Sequence, residues 1–399
     1  MTYDPLIPPL GDVGAVMPIT PRPPIVFIEG HGSWLRDRDG KDYLDFIQGW
    51  AVNTLGHCPP AVVAAVTEQA AKLINCAPSF FNEPMIRLAT LIAGASGLDQ
   101  VFFANSGAEA NEGAIKLARK WGQKYRDGAY EIITLDHGFH GRTLATMSAS
   151  GKSQWDGLFE PRVCGFPKAE INDIASVERV ITGKTAAVML EPIQGEAGVI
   201  VAESDFLKDL RALTRQRGIL LILDEVQTGI GRTGKMFAFQ HEDIRPDIMT
   251  LAKGLGGGVP IAALVAEQSV CCFDYGDQGG TFNGNPLVTA VGCAIMEEVA
   301  RPGFLEGVAK SGAYLEKRLI ALSEKHHGLG VRGKGLLLAL DLGRDLGNEV
   351  VAEALRRGLL LNAPRPHLLR FMPALTVTGE EIDRMIGILD GILEAFPSY

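Results

Sequence analysis

Residues 218–229, GILLILDEVQTG, carry five consecutive apolar side chains into two acids and then break at a glycine. An apolar run that short, with no polar alternation, is the pattern of a β-strand buried on both faces of a sheet. It ends on Asp224. A second run of the same kind, inside DIMTLAKGLGGGVP at residues 247–260, ends on Lys253, 29 positions later (253−224). A carboxylate and an ammonium in apolar surroundings are costly unless something uses both. In α/β proteins ligands collect at the C-terminal ends of strands, so the two residues point to one site on one sheet edge.

Working outward, YEIITLD and AAVMLEP read as further buried strands, while Ala114, Ala118, Trp121 and Tyr125 recur at helical spacing. Strands separated by helix-length connections predict an α/β fold, a parallel or mixed sheet with helices on both faces. Beyond NGNPLVTAVGCAIMEEVA the pattern turns to long helices around a strand in GKGLLLALDL. That is expected to be a smaller α+β unit packed with the N-terminal segment. Residues up to about Pro24 are proline-rich and aperiodic, an extended arm lying on another surface. IVFIEGHGSWLRDRDGKDYLDF follows as a hairpin or meander turning at Arg38, Asp39 and Gly40.

With 399 residues, 46% apolar and 21% charged, the chain is long enough for two domains. A net charge of −9 argues against a nucleic-acid or anionic-membrane surface. Cys58, Cys76, Cys164, Cys271, Cys272 and Cys293 form no C-x-x-C pair and have no zinc spacing, which fits reduced thiols in a cytoplasmic protein without a metal site. The N-terminus lacks a basic stretch followed by an apolar one, and runs such as GILLIL are too short to span a bilayer. No export or membrane anchoring is expected.

Several segments suggest chemistry. ANSGAEANEGAIKLARK places Ser106, Gly107 and Ala108 at a helix start, with Ser106 and Glu109 in capping-box spacing. Capping alone accounts for these residues, but small side chains also bare the backbone N–H groups where the helix dipole favours a phosphate. GIGRTGKM matches G-x-G-x-x-G and most of a P-loop, yet Met236 stands where a magnesium-binding hydroxyl is required, and no apolar helix follows. A plain turn is the preferred reading there. Lys253 sits between Ala252 and Gly254, ahead of Gly256, Gly257 and Gly258, so other groups can approach it closely. A desolvated lysine amine forms a Schiff base with a carbonyl, and a buried Asp224 calls for a cationic partner such as a protonated pyridine. An aldehyde, a pyridinium and a phosphate occur together in pyridoxal 5′-phosphate. Glu191 and Glu196 in EPIQGEAG reach the same edge, and Arg142 and Arg370 sit among small or apolar residues. Surface solvation is the default for each, but an arginine between Leu369 and Phe371 calls for a carboxylate.

At this point the motifs form a set. NSGAEANEGAIKLARK, FHGRT, EPIQGEAGV, LLILDEVQTGIGRTG, LAKGLGGGVP, TFNGNP, VRGKGL and LLRFMPALTV resemble, in order and spacing, the class III, fold-type I pyridoxal-phosphate aminotransferases, most closely the acetylornithine and ornithine branch. The resemblance runs from about Ile25 to the C-terminus. It implies a mostly parallel, seven-stranded large domain at residues 51–288, a small domain at 289–399, and residues 1–50 as an arm plus part of the small domain. It also implies that Lys253 holds the cofactor as a Schiff base and shuttles the proton, and that Asp224 holds the pyridinium. Val226 and Phe139 would enclose the ring, Gln227 would contact its phenolic oxygen, and Glu225 would join the cofactor contacts. Ser106, Gly107 and Ala108 would cradle the phosphate, with Thr281 reaching it from the neighbouring subunit of a homodimer. Arg142 and Arg370 would bind substrate carboxylates, and Glu196 would neutralise Arg370 while the amine donor is bound. The implied reaction moves the terminal amine of N-acetylornithine to 2-oxoglutarate. Ornithine, succinylornithine and 4-aminobutyrate are alternative donors, and an aminomutase, racemase or decarboxylase on the same fold is an alternative reaction. A nucleotide-binding switch or an oxidoreductase built on GIGRTGK is the reading from a different class. The chain departs from the branch pattern at His57-Cys58-Pro59-Pro60, Thr20, Trp50, Gly280 and Asn283, which places the departures on the donor side.

Overall fold

Seven strands form the central sheet: β1 (Gln100–Ala104), β2 (Glu131–Leu135), β3 (Lys168–Ala169), β4 (Thr185–Leu190), β5 (Leu220–Asp224), β6 (Ile248–Leu251) and β7 (Ala262–Ala266). The structure is a computed structural model that describes residues 15–396. The strand order is β1-β7-β6-β5-β4-β2-β3. All neighbours run parallel except β7, which is antiparallel to both β6 and β1. β5 lies mid-sheet, with Leu220 opposite Ala187 on β4 and Asp224 opposite Thr250 on β6. Its alternation divides the core: Leu220 and Ile222 join one apolar cluster, while Leu221 and Leu223 join the other.

Helix α1 (Gly107–Tyr125) covers the first of these faces with a stripe of Ala110, Ala114, Leu117 and Ala118. Its small residues allow close seating, and at Gly122 an added Cβ would fall 2.1 Å from the Ala129 carbonyl oxygen. Helix Ser204–Arg217 covers the other face through Phe206, Leu207, Leu210 and Leu213, and ends at Gly218 with a left-handed φ of 60°. Its Arg211 makes a buried two-pronged ion pair with Asp247, at 2.7 and 2.9 Å, at the entrance to β6.

A second core joins the two ends of the chain. Strand Leu359–Leu360 runs parallel to Asp42–Asp45, and Leu44 and Phe46 pack with Leu338, Leu340, Leu369 and Phe371. The last four belong to the antiparallel sheet made by Gly330–Lys334, Leu337–Asp341, Leu368–Phe371 and Asn362–Arg365. The expected boundary at residue 288 needs correction. Helix Pro286–Val299 contributes Val288, Val291, Ile295 and Val299 to the core of the large unit, so that unit continues at least through Val299. Of the expected N-terminal arm, the part before Ala15 lies outside the described residues, and residues 15–24 have no helix or strand.

The GIGRTGKM loop lies between the two cores. An added Cβ at Gly231 would meet Leu375, Val299 and Leu305 within 3.1 Å. Arg232 donates to the Leu336 and Pro373 carbonyl oxygens, and Leu336 N–H donates back to the Arg232 carbonyl. The loop is a packed junction with no room for a nucleotide. Among the described residues no helix is long and apolar enough to cross a membrane.

Candidate active site

Asp224 and Lys253 open onto one cavity of about 470 Å³ at the C-terminal edge of the sheet. Asp224 is 3% exposed and fully engaged. Its Oδ2 accepts from Asn111 Nδ2 and from His140 Nδ1, both at 2.8 Å, and its Oδ1 accepts from Val226 N–H at 3.1 Å. Asn111 is itself fixed, donating to the His140 carbonyl at 2.7 Å and accepting from Thr250 Oγ1 at 2.7 Å. Three donors fix the orientation of this carboxylate. Lys253 follows β6 with a φ of 39°, an uncommon conformation for a residue with a side chain and one that tends to mark functional positions. It touches the cavity and is otherwise enclosed by protein. Burial and the charge of Arg370 push its amine below the usual lysine range, against the pull of Glu196, Asp224 and Glu191.

After Asp224 the chain leaves the strand and enters a turn closed by Gly229 N–H donating to the Glu225 carbonyl. Asp224 and Val226 line the cavity, and Glu225 between them points away. Its carboxylate accepts from Ala238 N–H at 3.0 Å, Phe239 N–H at 2.9 Å and Thr228 Oγ1 at 2.6 Å, and burial raises its pKa to about 6. The expected cofactor contact of Glu225 is therefore corrected: its carboxylate is used inside the protein.

Ser106, Gly107, Ala108, Phe139, Arg142, Glu191, Glu196 and Gln227 all line the same cavity. Ser106 Oγ caps α1 by accepting from Glu109 N–H at 3.3 Å, which leaves the earlier N–H groups of the first turn without intrahelical acceptors. Glu191 accepts from Phe139 N–H at 2.8 Å, and burial with the nearby Asp224 charge raises its pKa well above the carboxylate range. Thr281 is exposed and does not line this cavity.

Whether pyridoxal phosphate suits these residues can be judged from the polar atoms left over. Gln227 is buried with neither amide atom partnered, and His140 Nε2 is likewise buried without a partner. Gly195 lies so close that an added Cβ would sit 1.7 Å from Gln227 Oε1, so the amide is pinned. A free phosphate cradle, a charged acid, an unpartnered amide and a desolvated amine around one volume match the group's phosphate, ring nitrogen, hydroxyl and aldehyde. The residues fit. Among the described residues no cluster of His, Cys, Asp or Glu is placed to hold a metal ion.

At the far end of the cavity the charges pair differently. Arg370, 1% exposed, donates from Nη2 to Glu196 Oε1 at 3.0 Å and from Nε to Asn362 Oδ1 at 2.9 Å, while its Nη1 has no partner. The Trp50 ring lies 5.5 Å from its guanidinium, presented by a run of left-handed residues from Gln48 to Ala51. Glu196 also accepts from Lys152 Nζ at 3.2 Å. Burial alone would raise the Glu196 pKa, but Arg370, Lys152 and Lys253 together lower it to about 2. Arg142 and Lys152 both stand over the Trp155 ring, at 5.8 and 5.4 Å.

Two of the departures from the branch pattern explain each other. At Gly280 an added Cβ would fall 2.7 Å from the Asn283 amide, and Asn283 Oδ1 accepts from Asn105 Nδ2 at 2.8 Å on the cavity wall. Asn283 thus occupies the space that a larger residue 280 would need. Sequence reasoning missed Asn111, His140, Lys152 and Asn362. For Asn111 a signal existed, an amide within the apolar stripe of α1. For Lys152, in SGKSQW, there was none.

Comparison with known proteins gives a consistent set. The family model for Aminotransferase class-III matches residues 17–393. The acetylornithine aminotransferase of Ralstonia nicotianae is 61% identical over 96% of this chain and 98% of its own length. That of Caldanaerobacter subterraneus is 47% identical over 93% and 95%. Among solved structures, N-acetylornithine aminotransferase from Stenotrophomonas maltophilia superposes with a TM-score of 0.82 at 36% identity, covering 93% of this chain and 96% of that one. Ornithine aminotransferase from Toxoplasma gondii, described with partial occupancy of pyridoxal phosphate at its active site, gives 0.91 at 32% identity, covering 95% and 92%.

Proposed function

The chain belongs to the class-III aminotransferase family, and from that premise we propose that it transfers the terminal amine of N-acetylornithine to 2-oxoglutarate, with pyridoxal 5′-phosphate as cofactor. The products are glutamate and a semialdehyde. The observation that carries the reading is a desolvated Lys253 and a triply hydrogen-bonded Asp224 facing one cavity. Relatives at 61% and 47% identity that carry the name acetylornithine aminotransferase favour acetylornithine as donor.

When bound, pyridoxal phosphate supplies an aldehyde that takes up the amino group and a ring that draws off electrons. Lys253 is the nucleophile that anchors it and the base that carries the proton from the donor's amine-bearing carbon. Asp224 would set a carboxylate against the ring nitrogen, and Asn111, His140 and Val226 N–H hold that carboxylate in place. Ser106, Gly107 and Ala108 would receive the phosphate, Val226 and Phe139 would enclose the ring, and Gln227 would meet its hydroxyl, all of them lining the one cavity. Arg142 takes a substrate carboxylate, and Arg370 takes the α-carboxylate of 2-oxoglutarate. An ω-amine places no carboxylate near Arg370, so Glu196 neutralises it during that half-reaction and leaves during the other. One pocket thereby serves both substrates.

The working unit is a homodimer. Ile74, Phe80, Phe81 and Phe282 are exposed, and the segments around residues 74–82 and 282–287 are joined by Asn82 Nδ2 donating to the Gly284 carbonyl at 2.9 Å and Leu287 N–H donating to the Ile74 carbonyl at 3.4 Å. An apolar area of this kind suits a second copy, whose cavity Thr281 would complete. All six cysteines are free, which supports a cytoplasmic location.

The test is a single-turnover screen of cofactor-loaded protein against individual ω-amines, following the visible band of the bound cofactor. Acetylornithine is expected to bleach it faster than ornithine, succinylornithine or 4-aminobutyrate, and 2-oxoglutarate to restore it. Faster bleaching by another amine would replace the donor. Bleaching by none would end the reading.

A further inference from the structure

Glu196 is held by two cations, and Arg370 alone accounts for its neutralising role. The second, Lys152, is only 10% exposed along its side chain, and its ammonium lies 4.6 Å from the Phe139 ring centre as well as 3.2 Å from Glu196 Oε2. Flanking aromatic faces and a carboxylate hold it in position. The two cations grip different oxygens, Arg370 taking Oε1 and Lys152 taking Oε2.

The two partners of Glu196 differ in what can move. Arg370 is locked by Asn362 and lies against Trp50. Glu196, at 31% exposed, is the looser member of that pair. When a dicarboxylate claims Arg370, the guanidinium stays and the glutamate must swing away. A partly buried carboxylate released from its only cation would oppose that exchange, whereas one still paired on its other oxygen would not.

We propose that Lys152 is a specificity-determining latch that retains Glu196 when a dicarboxylate occupies Arg370, and so favours the 2-oxoglutarate half-reaction. It is a positioning residue acting through Glu196, with no contact to the reacting atoms. The inference rests on the reading of Arg370 as the carboxylate site of an ω-aminotransferase.

Calorimetric titration of the cofactor-loaded protein with glutarate, an unreactive dicarboxylate, tests it in the native protein, Lys152→Met, Lys152→Arg, Glu196→Ala and the double variant Lys152→Met/Glu196→Ala. Lys152→Met is expected to weaken glutarate about tenfold, the scale of a close charge pair, and Lys152→Arg to restore it. Bleaching by acetylornithine should change far less. In the Glu196→Ala background, Lys152→Met should leave glutarate binding essentially unchanged. Undiminished binding in Lys152→Met, or an equal loss in both backgrounds, would overturn the latch, the latter by making Lys152 a direct ligand. A native protein that fails to bind glutarate would overturn it as well. Failure of the underlying reading shows separately, as a native protein whose visible band no ω-amine bleaches.

Discussion

The two ends of the cavity hold their charges in opposite ways. At the Asp224 end the carboxylate has three fixed donors, sits on rigid strand and helix termini and is almost wholly buried. At the Arg370 end the guanidinium keeps one unpartnered nitrogen, and its counter-ion stands at the water's edge between two cations. A group that must hold one charge through every turnover is fully satisfied by protein. A group that must accept two kinds of substrate is left partly unsatisfied, with a movable partner. Arg232, equally buried and also with one unpartnered nitrogen, differs in its partners: its Nη1 bonds backbone carbonyls at the junction of the two cores, which cannot swing away as a glutamate can, and desolvation lowers its pKa to about 9.

The largest effect that would break this contrast lies at the fixed end. Lys253→Ala should remove the band of the lysine Schiff base and slow both half-reactions by roughly ten-thousand-fold, as loss of a proton-transfer group does; absorbance spectra check the first and timed product analysis the second. Next, Asp224→Asn should slow both half-reactions equally, by roughly a hundredfold or more. An effect on one substrate alone would dissolve the distinction between the ends. At the movable end, Glu196→Ala should raise kcat/KM for glutamate relative to acetylornithine by about tenfold, the scale of removing a competing ion pair. Unequal loss of the two activities in the opposite direction would reverse its role.

Acid sharpens the same comparison with a smaller effect. The folded-state pKa of Glu196, about 2, lies below its unfolded value, so its stabilising contribution is complete above the ordinary carboxylate range of about 4 and is lost as pH falls toward 2. Denaturant unfolding across that window should therefore be less steeply pH-dependent in Glu196→Gln than in the native protein. An unchanged slope would mean that the cluster does not hold Glu196 in its charged form.

The sheet and the principal pair were legible because each is a local anomaly: apolar runs too short for helices, and ions at their ends. Lys253 and Asp224 stand out without knowledge of any contact. Their supports do not. Asn111 and His140 reach Asp224 across 113 and 84 residues, and Lys152 reaches Glu196 across 44, distances over which spacing carries no information. For Glu225 an adjacent position in a motif is read as an adjacent position in space, whereas its carboxylate turns inward to Thr228 Oγ1 and the Ala238 and Phe239 N–H groups, partners the motif does not announce. Helix Pro286–Val299 shows a related limit. Its apolar pattern announces burial, but only the fold reveals against which core.

The measurement closest to the central claim is borohydride reduction of the cofactor-loaded protein, followed by proteolysis and mass spectrometry. Pyridoxal phosphate is expected to be fixed on Lys253 and on no other lysine, with Lys253→Ala unlabelled. Label on a different lysine, or a native protein that shows no Schiff-base band with the cofactor and takes up no label, would overturn the assignment of Lys253.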